Sequence, residues 1–121
     1  MEEIKKVKPI ILRDKKTGAE KYTLEFNRDS VRFAEQRGFK IEDVADYSMN
    51  KLPEFFWLAF RMHHPRISRA ETDRILFEDL KGFPDGMVER LGQLYSAPFD
   101  ALRQDPDAEN GENPPTMAVE M

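Results

Sequence analysis

The stretch Leu52-Pro-Glu-Phe-Phe-Trp-Leu-Ala-Phe-Arg-Met62 constrains the fold more than any other, because it is apolar nearly all round. Wound as a helix it has almost no wet face, so most of its sides must be covered. It falls well short of the roughly 20 apolar residues that a membrane-spanning helix needs. It reads instead as the centre of a globular core, which the remaining elements must surround. Phe55, Phe56, Trp57 and Phe60 are four rings on this one helix. A chain of 121 residues builds one small domain, and such a core need not cover all four. Two uses stay open for them: core packing, or a docking groove for a partner's amphipathic helix.

The segment Ile4–Arg13 is rich in β-branched residues and reads as a strand, with Pro9 confining it to an edge or a break. Asp14-Lys-Lys-Thr-Gly18 is turn chemistry. Residues 20–26 alternate, with Tyr22, Leu24 and Phe26 on one side, which predicts a half-buried strand. The two strands form a hairpin that needs helices against its apolar face.

The character then turns helical. Asn27 or Asp29 can cap a helix from about Arg28, with Val31 and Ala34 inward. Gly38 fits the left-handed position after it, and Phe39 would fold back onto Phe33 or Ala34 in a Schellman motif. A short helix is predicted over 41–48, with Ile41, Val44 and Ala45 inward. Asn50 is the expected cap of the central helix, with Pro53 in its first turn. Pro65 ends that helix. Ser68-Arg-Ala-Glu71 reads as a capping box for a helix carrying Ile75, Leu76 and Leu80, stopped by Gly82. Asp85 would cap a last helix with Val88, Leu91, Tyr95, Phe99 and Leu102 on one face, kinked or split at Pro98. The predicted class is α+β: an N-terminal β-hairpin over about 4–26 packed on a bundle of four to five short α-helices over about 28–104. Residues 105–121, rich in Asp, Glu, Asn and Pro, read as a disordered acidic tail outside this single domain.

Charge is unevenly placed. Residues 1–40 carry 11 Lys and Arg against 7 Asp and Glu, net +4, and residues 41–121 carry 8 against 16, net -8. The basic excess sits on the hairpin. Lysines there discourage strand-to-strand association, and they also offer a phosphate-binding surface through Lys5, Lys6, Lys8, Lys15 and Lys16. There is no cysteine, hence no disulfide framework or thiolate chemistry. The first residues lack the apolar core of a signal peptide, so the expected compartment is the cytoplasm.

Residues for chemistry are sparse. His63 and His64 are adjacent, so on a helix their rings point about 100° apart and do not share a metal, which favours i, i+4 spacing. The carboxylates Glu42, Asp43, Asp46, Glu78 and Asp79 fall on predicted outer faces. No serine lies in a nucleophile elbow, and Gly82-Phe-Pro-Asp-Gly86 lacks the Lys-Ser/Thr element of a phosphate loop. The sequence therefore predicts a protein that is not an enzyme, with no catalytic residue, cofactor, metal or small-molecule substrate, and no membrane partner. A homo-oligomeric form stays open.

The segment Tyr22-Thr-Leu-Glu-Phe-Asn-Arg-Asp-Ser-Val-Arg-Phe-Ala-Glu-Gln-Arg-Gly-Phe39 resembles small proteins of tailed phages and prophages, which share a Leu-x-Phe-Asn-Arg-x-Ser-Val strand-to-helix start and a Glu-x-x-Gly-Phe helix end. Residues 50–80, with the Leu-Pro-x-Phe-Phe-Trp-Leu-Ala-Phe run and His64-Pro65, look similar too. The group resembles the tail assembly chaperones of siphophages. The likeness covers roughly residues 20–100 and rests on structural motifs. It implies a non-enzymatic helper in the bacterial host cytoplasm that binds the tape measure protein and the tail tube protein before assembly. It carries over no catalytic residues. The rival expectation, from charge alone, is a nucleic-acid-binding accessory protein using the basic hairpin.

Overall fold

A computed structural model describes residues 7–103 and 113–121. The fold is α+β, as the sequence predicts: a two-stranded antiparallel hairpin followed by five helices. The hairpin consists of β1 (Ile10–Arg13) and β2 (Glu20–Leu24). Ile10 pairs with Leu24, Ile11 with Thr23 and Leu12 with Tyr22; the register then slips at Leu12/Arg13. β1 is shorter than expected, since Val7–Pro9 is not strand; Ile4, Lys5 and Lys6 lie outside the described residues. The turn is built on Asp14, whose Oδ1 accepts from the N–H groups of Lys16 (2.8 Å) and Thr17 (3.0 Å). These two donors hold the Asp14 carboxyl below its usual range.

α1 (Arg28–Gln36) has both ends signalled correctly. The Asn27 side chain accepts from the Ser30 N–H at 2.8 Å, and the Ser30 hydroxyl accepts from the Asn27 N–H at 2.9 Å. At the other end Gly38 takes φ +84, its N–H reaches Glu35 O (2.9 Å), and the Phe39 N–H reaches Ala34 O (3.0 Å), the two bonds of a Schellman motif. The Phe39 ring does not turn back on Phe33, however; it stacks on Phe55 at 5.4 Å and meets Tyr95 edge-on.

α2 (Asp43–Asp46) is a single turn with Val44 half-buried, while Ile41 and Ala45 are exposed rather than inward. α3 (Ser48–Phe60) starts earlier than expected. Asn50 lies within it and caps nothing, and Pro53 sits in its second turn. The missing Pro53 N–H deprives the Met49 carbonyl of its helical partner, on a residue that is 89% exposed. α3 meets β2, α1, α2, α4 and α5, which makes it the hub of the core.

α4 (Arg69–Arg74) begins at Ser68, whose Oγ accepts from the Glu71 N–H at 3.1 Å. Only this half of the expected capping box forms. The helix then widens into a π-turn over Ile75–Asp79, where the Leu80 N–H reaches back five residues to Ile75 O at 2.8 Å. The left-handed exit falls on Lys81 (φ +57) before Gly82 (φ +110). α5 (Met87–Ser96) starts at Gly86 (φ +84) without help from the Asp85 side chain. The break expected at Pro98 is present: beyond Ser96 the winding tightens into a 3-10 segment over Ala97–Leu102. Residues 113–121 carry no helix or strand and are exposed; the expected disorder of 105–112 lies outside the described residues. No helix among the described residues is long and apolar enough to cross a membrane.

Candidate functional site

Phe55, Phe56 and Phe60 are 1%, 0% and 0% exposed. Phe55 stacks on Phe26 (5.6 Å) and receives the edge of Tyr95 (5.6 Å), while Phe56 and Phe60 pack on each other (5.0 Å) and reach Phe83 and Tyr22. A partner cannot touch these rings without opening the core. The docking use therefore fails for these three, because the hairpin, α1 and α5 together supply enough apolar cover.

Trp57, the fourth ring, is half-buried at the edge of the core. Its Nε1–H donates to Ile67 O at 3.1 Å, which fixes the indole against the loop before α4. Its neighbour is Phe33 of α1, with ring centroids 6.0 Å apart. Two guanidinium groups close over this pair. Arg37 lies 4.8 Å from the Trp57 ring and 5.5 Å from Phe33, and Arg61 lies 3.7 Å over Phe33. Phe33–Arg37 and Trp57–Arg61 are i, i+4 pairs on their helices, and each arginine reaches across to the other helix's ring. Sequence reasoning missed this cluster, although the two spacings were visible. Beside it, between α1 and the end of α3, opens a cleft of about 380 Å³ that includes Arg32, Phe33, Gln36 and Arg61.

A second surface is apolar. Val31, Pro98, Phe99 and Leu102 form a narrow groove of about 150 Å³ between α1 and the 3-10 segment. It adjoins, through Arg28 and Pro98, a wider cleft of about 630 Å³ into which Val7, Phe26, Leu94 and Ala97 project. Phe99 (38% exposed) and Leu102 (76%) were expected on the inner face of a last helix. The change to 3-10 winding at Pro98 turns them out of register with Leu91 and Leu94, which are buried.

The two histidines do different work. His64 Nε2 accepts the Thr23 N–H at 3.0 Å, so its ring proton sits on Nδ1. Burial, and then the neighbouring His63, push its pKa below the ordinary value. His63 Nε2 donates to Glu25 Oε1 at 2.8 Å. With the Glu25 N–H bonded to Ala59 O (3.0 Å), these contacts fasten β2 to the end of α3. Among the described residues, no group of three or more His, Cys, Asp or Glu is placed to hold a metal. Of the hairpin lysines, Lys8, Lys15 and Lys16 are exposed, and Lys5 and Lys6 lie outside the described residues.

A two-stranded hairpin locked onto a ring-filled helix hub, with one apolar and one arginine-lined surface, is the class of small α+β module this chain represents. The chain belongs to the family described as a domain of unknown function (DUF5055), whose pattern matches residues 5–118. No curated protein and no solved structure matches it.

Proposed function

We propose that this chain works by holding another protein, as a tail assembly chaperone of a long-tailed phage or prophage. The observation that carries the reading is the apolar strip running from Leu102 and Phe99 past Pro98 to Val7. Its rim alternates in sign, with Arg28, Arg32 and Glu35 along one part and Glu25 and Asp100 along the other. An amphipathic helix fits such a strip, apolar face down and charges outward. The resemblance of residues 22–39 to tail chaperones supplies the partners: helical stretches of the tape measure protein, covered until tail tube subunits replace the helper. Modest contacts suit a helper that has to leave, since buried area beyond what holds the complex slows release.

The test is titration of the purified chain with tape-measure fragments from its own genome. Binding is expected to vary little between low and high salt, because apolar burial dominates it. Leu102→Ser is expected to weaken it while leaving the thermal midpoint nearly in place. Absence of fragment binding, with tight and steeply salt-dependent binding to a random duplex, would replace this reading by the hairpin's nucleic-acid role.

A further inference from the structure

We propose that the cleft between α1 and the end of α3 is a docking site for an acidic peptide segment of a partner protein, whose carboxylates take the free edges of Arg32 and Arg61. The site shares Arg32 with the rim of the apolar strip, and it does not depend on a role in tail assembly.

The first support is unspent charge. The chain has more acids than bases, 23 against 19. Arg13, Arg69 and Arg74 accordingly find carboxylates at 3.0–3.1 Å. Among the described residues, Arg28, Arg32, Arg37, Arg61, Arg66, Arg90 and Arg103 have no such partner, and the first four of these lie on or beside α1. Arg32 and Arg61 line one cleft; Arg28 and Arg32 line a second, of about 490 Å³, that meets it at Asn27 and Asp29.

The second support is preorganisation. A guanidinium 3.7 Å over a ring has its flat face covered while its N–H edges stay open. Phe33 is itself held by Trp57, and Trp57 by the Ile67 carbonyl. Arg61 is half-buried and has little rotamer freedom left to lose, so its fork meets a carboxylate at lower entropic cost than a free arginine or any lysine. Gln36 adds an amide donor on the same wall.

The third support selects the ligand. Asp29 lines both clefts and Glu35 stands close to Arg28 and Arg32. A nucleic acid presents an unbroken row of phosphates and rewards an unbroken row of cations. Here the cations are interrupted, and the Phe33 ring that would stack a base carries Arg61 instead. A peptide places carboxylates singly, with apolar residues between them that can rest on Phe33 and Met62.

The experiment uses the full chain and two end-labelled probes, a decapeptide of five Glu-Ala repeats and a 20-nucleotide oligothymidine, followed by anisotropy at low and high salt. The Glu-Ala peptide is expected to bind and to weaken with salt. Arg32→Gln and Arg61→Gln are each expected to weaken it about tenfold. Arg61→Lys, which keeps the charge and loses the fork, should also bind several-fold more weakly. The control Lys15→Gln on the hairpin, which removes the same single charge, should bind as the parent does. Arg32 stacks on no ring, so its variant keeps the fold if Arg61→Gln does not. The proposal is overturned by no binding of the Glu-Ala peptide, by an equal loss in the hairpin control, by an effect of Arg61→Gln with none of Arg32→Gln, or by tighter binding of oligothymidine through the same arginines.

Discussion

α1 and α4 are announced by the same vocabulary, a polar cap at the start and a glycine past the end, yet they are wound differently. α1 is regular from its reciprocal Asn27–Ser30 cap to its Gly38 exit. α4 has half a cap, lasts six residues and opens into a π-turn before a left-handed lysine. α1 buries Ser30, Val31 and Ala34 in ordinary helical register. The second helix buries the adjacent pair Ile75 and Leu76, at 3% and 1% exposure, in a turn that takes one more residue per hydrogen-bonded ring, while Phe77 stays 58% exposed. Adjacent pairs are buried in regular winding as well, Phe55 and Phe56 of α3 among them, so the same start and stop signals do not fix a helix's pitch.

The largest break in this comparison is expected at Leu76. Leu76→Ala should cost about 2–5 kcal/mol, as cavities in packed cores do, whereas Phe77→Ala should stay within about 0.5 kcal/mol. Denaturant melts of the two variants measure it, and equal losses would mean that the wide turn does not separate an inner from an outer residue. Next come the exits. Gly38→Ala puts a side chain at φ +84, where an L-residue loses about 1–2 kcal/mol. Lys81→Gly should act in the opposite sense, with a gain of up to about 1 kcal/mol, because a side chain already occupies the left-handed region there. The starts differ less. Asn27→Ala and Ser68→Ala should both fall within about 0.5–2 kcal/mol, since each removes one side-chain acceptor from a first-turn N–H; the Ser30 hydroxyl keeps its bonds to the Asn27 backbone. A loss outside that range at either position would show that its cap does more than accept one N–H.

The smallest expected effect lies on the loop that leads into α4. His64 must be neutral at Nε2 to accept the Thr23 N–H, and its pKa in the folded chain is lowered. The unfolded chain therefore takes up the proton first. The contribution is fully present above the ordinary histidine value of about 6.5 and is lost as pH falls from there through the lowered value. Thermal midpoints at pH 7.5 and 5.0 for the parent and for His64→Gln measure it. Tyr22, Phe60 and His63 pack around the ring, and Glu25 bonds His63; all stay in both proteins, so the difference between the two pH responses isolates His64. An identical response would place the titration elsewhere.

Much of the fold was legible because it is written in local chemistry. The alternation of Tyr22, Leu24 and Phe26, the Asn27 cap, the Gly38 exit and the break at Pro98 each have a short-range cause. The illegible parts depend on distant neighbours. The start of α3 lies before Pro53, where sequence rules favour Asn50. The π-turn over Ile75–Asp79 follows a cap and precedes a glycine that equally fit a regular helix. The docking use of Phe55, Phe56 and Phe60 fails because Phe26, Phe39, Phe83 and Tyr95, far apart in sequence, converge on them. The arginine-lined cleft needed the one fact periodicity does not supply, that the Phe33 face of α1 meets the Trp57 face of α3.

The way β2 is fastened has a consequence for crowded solutions. The N–H groups of Thr23 and Glu25, pointing away from β1, already bond to His64 and to the Ala59 carbonyl. Among the described residues, no strand lies beside β1 on its other side. If two molecules join strand to strand, they do so β1 to β1 about a two-fold axis, and each then turns its occupied side outward. Growth by that route terminates at a pair, where a hairpin with two free borders would add copies without limit.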